Sequence, residues 1–128
     1  MKPKKNTASD QSAASKTQVG REYESRAALY LMAQGYRIVD QNFYVHRVGE
    51  IDLIMERGLE LVFVEVRRRA SSQFGGAAAS ITRAKQRKLR LAASAYLRQR
   101  GHLSQHFCRF DVVVFEADQS PEWIKGAF

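Results

Sequence analysis

Two carboxylates stand where apolar side chains would be expected. The run GEIDLIME (Gly49–Glu56) and, after a turn at Arg57-Gly58, the run ELVFVEVR (Glu60–Arg67) read as a β-hairpin, because both are dense in β-branched and aliphatic residues and are separated by a glycine turn. With the turn centred between Gly58 and Leu59, Asp52 falls opposite Glu65. Alternation then puts Glu50, Ile54, Phe63 and Arg67 on the same face, and Ile51, Leu53, Met55, Val62, Val64 and Val66 on the other. The second face is wholly apolar and is expected to be core.

Like charges directly opposite in a sheet repel, and buried carboxylates cost several kcal/mol unless they are compensated. Two compensations are open. One is an ion-pair network with Arg67, Arg47 and Arg69. The other is a divalent cation, Mg²⁺ or Mn²⁺, held by Asp52, Glu65 and the backbone carbonyl of Val66; hard oxygen donors of this kind suit such an ion, which could activate water against a phosphodiester. A third acid, Glu24, lies three, four and seven residues before Ala27, Ala28 and Leu31, along the apolar stripe of a helix, where it would aim at the sheet. Glu22 is instead an i,i+4 partner for Arg26 on the wet face.

The elements that must position these groups follow from the patterning. REYESRAALYLMAQG predicts a helix from Arg21 that ends at Gly35, and YRIVDQNFYVHR predicts one strand or two short ones around a turn-like Asp40-Gln41-Asn42. After the hairpin, SSQFGGAAAS is a small-residue loop around Phe74, Gly75 and Gly76 that could close over a bound strand. ITRAKQRKLRLAASAYLRQRG predicts a long basic helix with Ala84, Leu91, Ala92, Ala95 and Tyr96 towards the sheet. RFDVVVFEA is a buried strand, and PEWIKGAF a short closing element. Helices alternating with near-continuous apolar strands imply an α/β fold with helices on both faces of the sheet.

Charge sets the partner class. The 128-residue chain carries a net charge of +8 and a pI near 10.0, which favours nucleic acid over other polyanions. No acidic residue lies between Glu65 and Asp111, whereas Arg67, Arg68, Arg69, Arg83, Lys85, Arg87, Lys88, Arg90, Arg98, Arg100 and Arg109 all do. Solvated faces normally mix both signs, so Arg69, Arg83, Lys85, Arg87 and Lys88 are candidates for phosphate contact, which positions a nucleic acid without reading its bases.

Composition bounds the rest. Residues 1–19 hold no aromatic residue and many Lys, Ser, Ala, Thr and Gln, and are expected to be a mobile basic tail before a single domain at 20–128. The lone Cys108 permits no intramolecular disulfide. No apolar signal region follows the basic start, and no run approaches the roughly 20 residues that span a bilayer, so a cytoplasmic protein without a membrane partner is expected. His46, His102 and His106 lack ligand spacing.

The motifs GREYESRAALYLMAQGY, GEIDLIM, VFVEVR, FGGAAASITRAKQRKL, RFDVVVF and EWIKGAF, covering Gly20 to Phe128, resemble the bacterial YraN family, which is itself similar to Holliday-junction resolvases and restriction endonucleases. That resemblance implies a restriction endonuclease-like α/β/α sandwich with a central mixed sheet, a Mg²⁺-dependent endonuclease acting on DNA in preference to RNA, including branched DNA, and a homodimeric arrangement. It also implies a catalytic set with an acid at the end of one strand, Glu-x-Lys on the next and an upstream helical Glu. On this chain the set falls on Glu24, Asp52, Glu65 and Arg67. The last departs from Lys: an Arg stays protonated and stabilises anionic charge but takes no proton from water. Lys85, on the basic helix, is a candidate to reach the same site from another element. Two rivals remain, a catalytically silent nucleic-acid-binding module and a protein adaptor using the basic helix and the apolar residues Trp123, Ile124 and Phe128.

Overall fold

The computed structural model describes residues 8–69, 81–103, 105–116 and 120–128. Helix α1 (Ala8–Met32) is followed by strands β1 (Arg37–Val45), β2 (Gly49–Arg57) and β3 (Glu60–Arg69), helix α2 (Arg83–Gln99), a 3₁₀ turn at Gly101–Leu103, and strands β4 (Phe107–Glu116) and β5 (Glu122–Ile124). The five strands form one sheet in the order β1-β2-β3-β4-β5; β3 and β4 run parallel and every other neighbouring pair is antiparallel. The crossover from β3 to β4 passes through α2, as a parallel pair requires.

Each helix covers one face. Ala27, Ala28 and Leu31 of α1 pack with Leu53, Met55, Val62, Val64, Val113 and Phe115. Leu89, Ala92, Ala93 and Tyr96 of α2 pack with Ile51, Ile54, Leu61 and Phe63. The result is an α/β/α sandwich. None of the described helices is long and apolar enough to cross a membrane.

The structure corrects several expectations. α1 begins at Ala8, within the residue range 1–19 that precedes the expected domain. Asp40-Gln41-Asn42 does not divide β1, which is one strand with a register shift between Ile38 and Asp40. The inward stripe of α2 is Leu89, Ala92, Ala93 and Tyr96, at i, i+3, i+4 and i+7, whereas Ala84 and Leu91 face solvent and Ala95 is only half-buried. α2 ends at the cap Arg100, whose N–H bonds the carbonyls of Tyr96 and Leu97, with Gly101 immediately after it. The loop around Phe74, Gly75 and Gly76 lies outside the described residues.

The closing segment folds back onto the domain. Asp111 is wholly buried, and its carboxylate accepts from Arg109 (2.8 and 2.9 Å), Trp123 Nε1 (2.8 Å) and Gly126 N (2.9 Å). Phe128 stacks on Phe110, which stacks on Phe63. Trp123, Ile124 and Phe128 are therefore half-buried parts of the fold, not an apolar tail held out for a partner.

Candidate nucleic-acid-processing site

The hairpin places the two acids where its ladder ends. β2 and β3 pair from Arg57↔Glu60 to Leu53↔Val64 around the two-residue turn Gly58-Leu59, and continuing that register by one step sets Asp52 opposite Glu65. There the backbone pairing stops, and Oδ2 of Asp52 accepts instead from Val66 N at 2.8 Å. The side chain thus takes the place of the next ladder acceptor and is held against β3.

Alternation breaks at the same point. Leu53 and Met55 join the α1-side core, but Ile51 joins the α2-side core with Ile54, contrary to the expected single apolar face. The opposing strand is irregular too. Between the pairs Gln41↔Leu53 and Phe43↔Ile51 stands Asn42, at φ 53°, a left-handed conformation that Asn tolerates better than other non-glycine residues. Its Nδ2 donates to Glu24 Oε1 at 2.9 Å, while Arg21 Nη1 donates to Asn42 Oδ1 at 2.8 Å. Glu24 is accordingly half-buried and fixed from β1, at the sheet side of α1.

Glu65 and Asp52 have different electrostatic surroundings. Glu65 is buried, and its Oε2 lies 3.4 Å from both Arg67 Nη1 and Lys85 Nζ. Lys85 comes from the first turn of α2, where its backbone N–H bonds Thr82 Oγ1, the N-cap, at 3.1 Å. The groups that act on Asp52 are mostly acids. Burial, then the charge of Glu65, push its carboxyl up from 3.8 to about 8; the Val66 N–H pulls it back, and Glu24 and Glu50 add to the rise. Four acids therefore act on one another at the strand ends, with both compensating cations on Glu65.

Two hollows flank them and share Glu50. One, of about 170 Å³, is lined by Val48, Gly49, Glu50, Lys85, Lys88 and Leu89. The other, of about 200 Å³, is lined by Thr17, Gly20, Arg21, Glu24, Asn42 and Glu50. The first carries Lys85 and Lys88 beside Glu50, and the second carries Arg21 beside Glu24 and Glu50.

Residues 23–115 match the profile described as "Uncharacterised protein family UPF0102". The chain belongs to that family. It is 51% identical over 110 residues to a UPF0102 protein of Aeromonas hydrophila, an alignment covering 85% of this chain and 83% of the relative. A UPF0102 protein of Dechloromonas aromatica is 52% identical over 109 residues, covering 85% and 87%. The UPF0102 protein YraN of Shigella flexneri is 49% identical over 112 residues, covering 87% and 84%. The expected resemblance to the YraN family is thereby established.

Of the residues singled out from sequence, Glu24, Asp52, Glu65, Val66, Arg67 and Lys85 meet at this site. Lys88 lines its rim, and Arg83 and Arg87 are exposed on the same first turns of α2. Of the arginines offered as ion-pair partners for the acids, Arg67 lies on Glu65, Arg69 lies 3.7 Å from Glu116, and Arg47 Nε points to His46. The pair between Glu22 and Arg26 is not formed; the Arg26 guanidinium lies over the Tyr23 and Phe115 rings instead. Sequence reasoning gave no role to Glu50 or Asn42. Glu50 was visible on the right face; Asn42 could have been found from the turn-like triplet inside a strand, a sign of local backbone irregularity.

The donor set tests whether a divalent cation fits. Among the described residues, no three His, Cys, Asp or Glu side chains form a ready-made cluster of ligands. A cation here would rest on the Asp52 and Glu65 carboxylates with a backbone oxygen and water, a sparse, hard-oxygen set of the kind Mg²⁺ accepts. Asp52, buried beside Glu65 and raised further by Glu24 and Glu50, has the electrostatic deficit such an ion would fill.

Proposed function

We propose that this protein is a metal-dependent nuclease-like enzyme that hydrolyses phosphodiester bonds in nucleic acid, DNA before RNA, in the cytoplasm. The observation that carries this reading is the asymmetric acid pair: Asp52, pushed up to about 8 by burial and by Glu65, next to Glu65 itself, which has Arg67 and Lys85 at 3.4 Å. Such a pair is costly as mere architecture and becomes favourable with a divalent cation and a phosphate.

A bound Mg²⁺ or Mn²⁺ would supply Lewis-acid polarisation of the phosphate and a more acidic water. The chain's own groups do the remaining work. Asp52 and Glu65, with the carbonyl of Val66, hold the ion. Glu24, fixed by Asn42, presents a carboxylate on the α1 side that can accept a hydrogen bond from attacking water. Arg67 and Lys85 stand on the α2 side of Glu65, where they offset charge that grows on the phosphate oxygens as the new P–O bond forms and the leaving P–O bond breaks. Arg67 cannot act as the base. Lys85 has the chemistry that Arg67 lacks. Arg69, Arg83, Arg87 and Lys88 contact neighbouring phosphates.

The test is cleavage of duplex, branched and single-stranded DNA, and of RNA, with Mg²⁺ or Mn²⁺, beside Asp52→Ala, Glu65→Ala and Lys85→Ala. Metal-dependent cleavage lost in all three is expected. Cleavage that survives Asp52→Ala and Glu65→Ala refutes the metal site, and undiminished cleavage by Lys85→Ala refutes the role of that residue. A silent binding module is the second reading, favoured by Arg67 in the place of Lys; it predicts salt-sensitive binding with no cleavage of any substrate.

A further inference from the structure

The residues at the end of β3 divide between the two faces of the sheet. Arg67 points to the α2 side, onto Glu65, and Arg68 points to the α1 side, where its guanidinium lies 5.3 Å from the centre of the Tyr23 ring. Arg26 of α1 lies over the same ring at 4.8 Å and over Phe115 at 5.2 Å. Tyr23 and Phe115 meet edge to face at 5.0 Å, so the two rings form one platform that carries two guanidinium groups. Phe115 is buried, while Arg26 and Arg68 are both exposed.

Two like charges gathered on one ring repel within a Debye length of about 8 Å. Neither forms an ion pair with a described acid: Glu22, one turn before Arg26, makes no contact with it, and Glu116 faces Arg69. Stacking holds each guanidinium flat and leaves the N–H fork for a planar or tetrahedral oxyanion. Arg68 is three residues beyond Glu65, about 10 Å along the strand. The pair therefore flanks the acids on the side opposite Lys85 and Lys88.

We propose that Arg26 and Arg68, carried on Tyr23 and Phe115, form a second phosphate-binding position on the α1 side, so that a nucleic-acid backbone crosses the end of β3 from one sheet face to the other. This rests on the nucleic-acid reading above but not on catalysis. It differs from the path along α2 that the basic run suggests. Farther along that helix, Arg100 is bonded to Asp40 at 3.3 Å, and Arg109, past the helix, is bound to Asp111 and Glu60. The charges of Arg100 and Arg109, past the end of α2, are thus cancelled, whereas those of Arg26 and Arg68 extend the footprint across the sheet.

Binding of the full chain to a labelled DNA duplex, in chelator so that no cleavage is required, is measured as a function of salt. The Arg26→Ala/Arg68→Ala double variant is expected to lower the log–log salt slope by about 2 and to weaken binding roughly ten-fold per arginine near 0.1 M salt. Arg83→Ala/Arg87→Ala lowers it comparably, and Arg100→Ala, whose charge is already paired with Asp40, leaves it unchanged. Arg26→Lys/Arg68→Lys, which keeps both charges and protects against a folding artefact, retains the slope and loses a smaller part of the affinity. Wild-type binding by Arg26→Ala/Arg68→Ala, with loss only in Arg83→Ala/Arg87→Ala, overturns the second position and leaves the nucleic-acid reading standing. Absence of salt-sensitive binding by the wild type overturns both. Loss of binding to phosphatidylserine vesicles but not to DNA overturns the proposal in favour of a membrane surface.

Discussion

Replacing Asp52 with Asn is expected to stabilise the protein above about pH 4 while removing its metal response. Burial and the neighbouring Glu65 push the Asp52 carboxyl from 3.8 to about 8 in the folded chain. A folded-state value raised above the unfolded one means full stability below about pH 4 and progressive loss as pH rises towards 8, because the unfolded chain gives up a proton that the folded chain retains. At pH 7 the gap of roughly three units corresponds to a ceiling of about 4 kcal/mol, reduced to about 2–4 because Glu65 shares the relief. Asn keeps an oxygen for the Val66 N–H at 2.8 Å and is neutral in both the folded and the unfolded chain, so no proton is lost on unfolding. For a domain of this length the gain is on the order of 10 °C in melting temperature. Thermal melts from pH 4 to pH 8.5, with and without Mg²⁺, measure it. The wild type should fall with pH and recover in Mg²⁺, whereas Asp52→Asn should stay flat and ignore the ion. Parallel curves for the two proteins, or a less stable Asp52→Asn at pH 7, would refute the claim that this carboxylate is electrostatically unsatisfied.

Three further outcomes follow from the same geometry. Asn42→Ala should cost about 1–2 kcal/mol because φ 53° suits few side chains, and Asn42→Gly should restore the melting temperature but not cleavage, since Glu24 loses its anchor in both; chemical melts beside a cleavage assay separate the two effects. Arg67→Lys should cleave at least as fast as the wild type, because Lys preserves the charge beside Glu65 and adds a group able to lose its proton; a rate reduced a hundredfold would show that the planar guanidinium itself is required. Asp111→Ala should destabilise the fold by about 3–5 kcal/mol by stranding Arg109, Trp123 and the Gly126 N–H, and trypsin should then release the closing segment early; a melting temperature within a degree or two of wild type would contradict the network.

The linear pattern was enough for the parts governed by local periodicity. Alternation within GEIDLIME and ELVFVEVR, with a glycine turn between them, sets the register that brings Asp52 opposite Glu65, since a slip of one residue would exchange the side chains of the two faces. The order of helices and strands fixes the layering, because each apolar face needs a cover. The single-sign charge from Arg67 to Arg109 is likewise a property of the chain alone.

Tertiary structure decided what depends on groups distant in sequence. Lys85 reaches Glu65 only because the β3–β4 crossover returns α2 over the α2-side face of the sheet. Glu24 is held by Asn42, a residue of another element whose left-handed backbone breaks the strand pattern, and that break also carries Ile51 away from its expected face. The arginines are sorted in the same way: Arg68 and Arg26 meet over Tyr23, while Arg100 and Arg109 are neutralised by Asp40, Glu60 and Asp111. Sequence determined which charges the protein carries and which strand residues face each other, because those follow from chain periodicity. Only packing determined which charges are cancelled, because Coulomb energy depends on distance and burial and neither is a property of position along the chain.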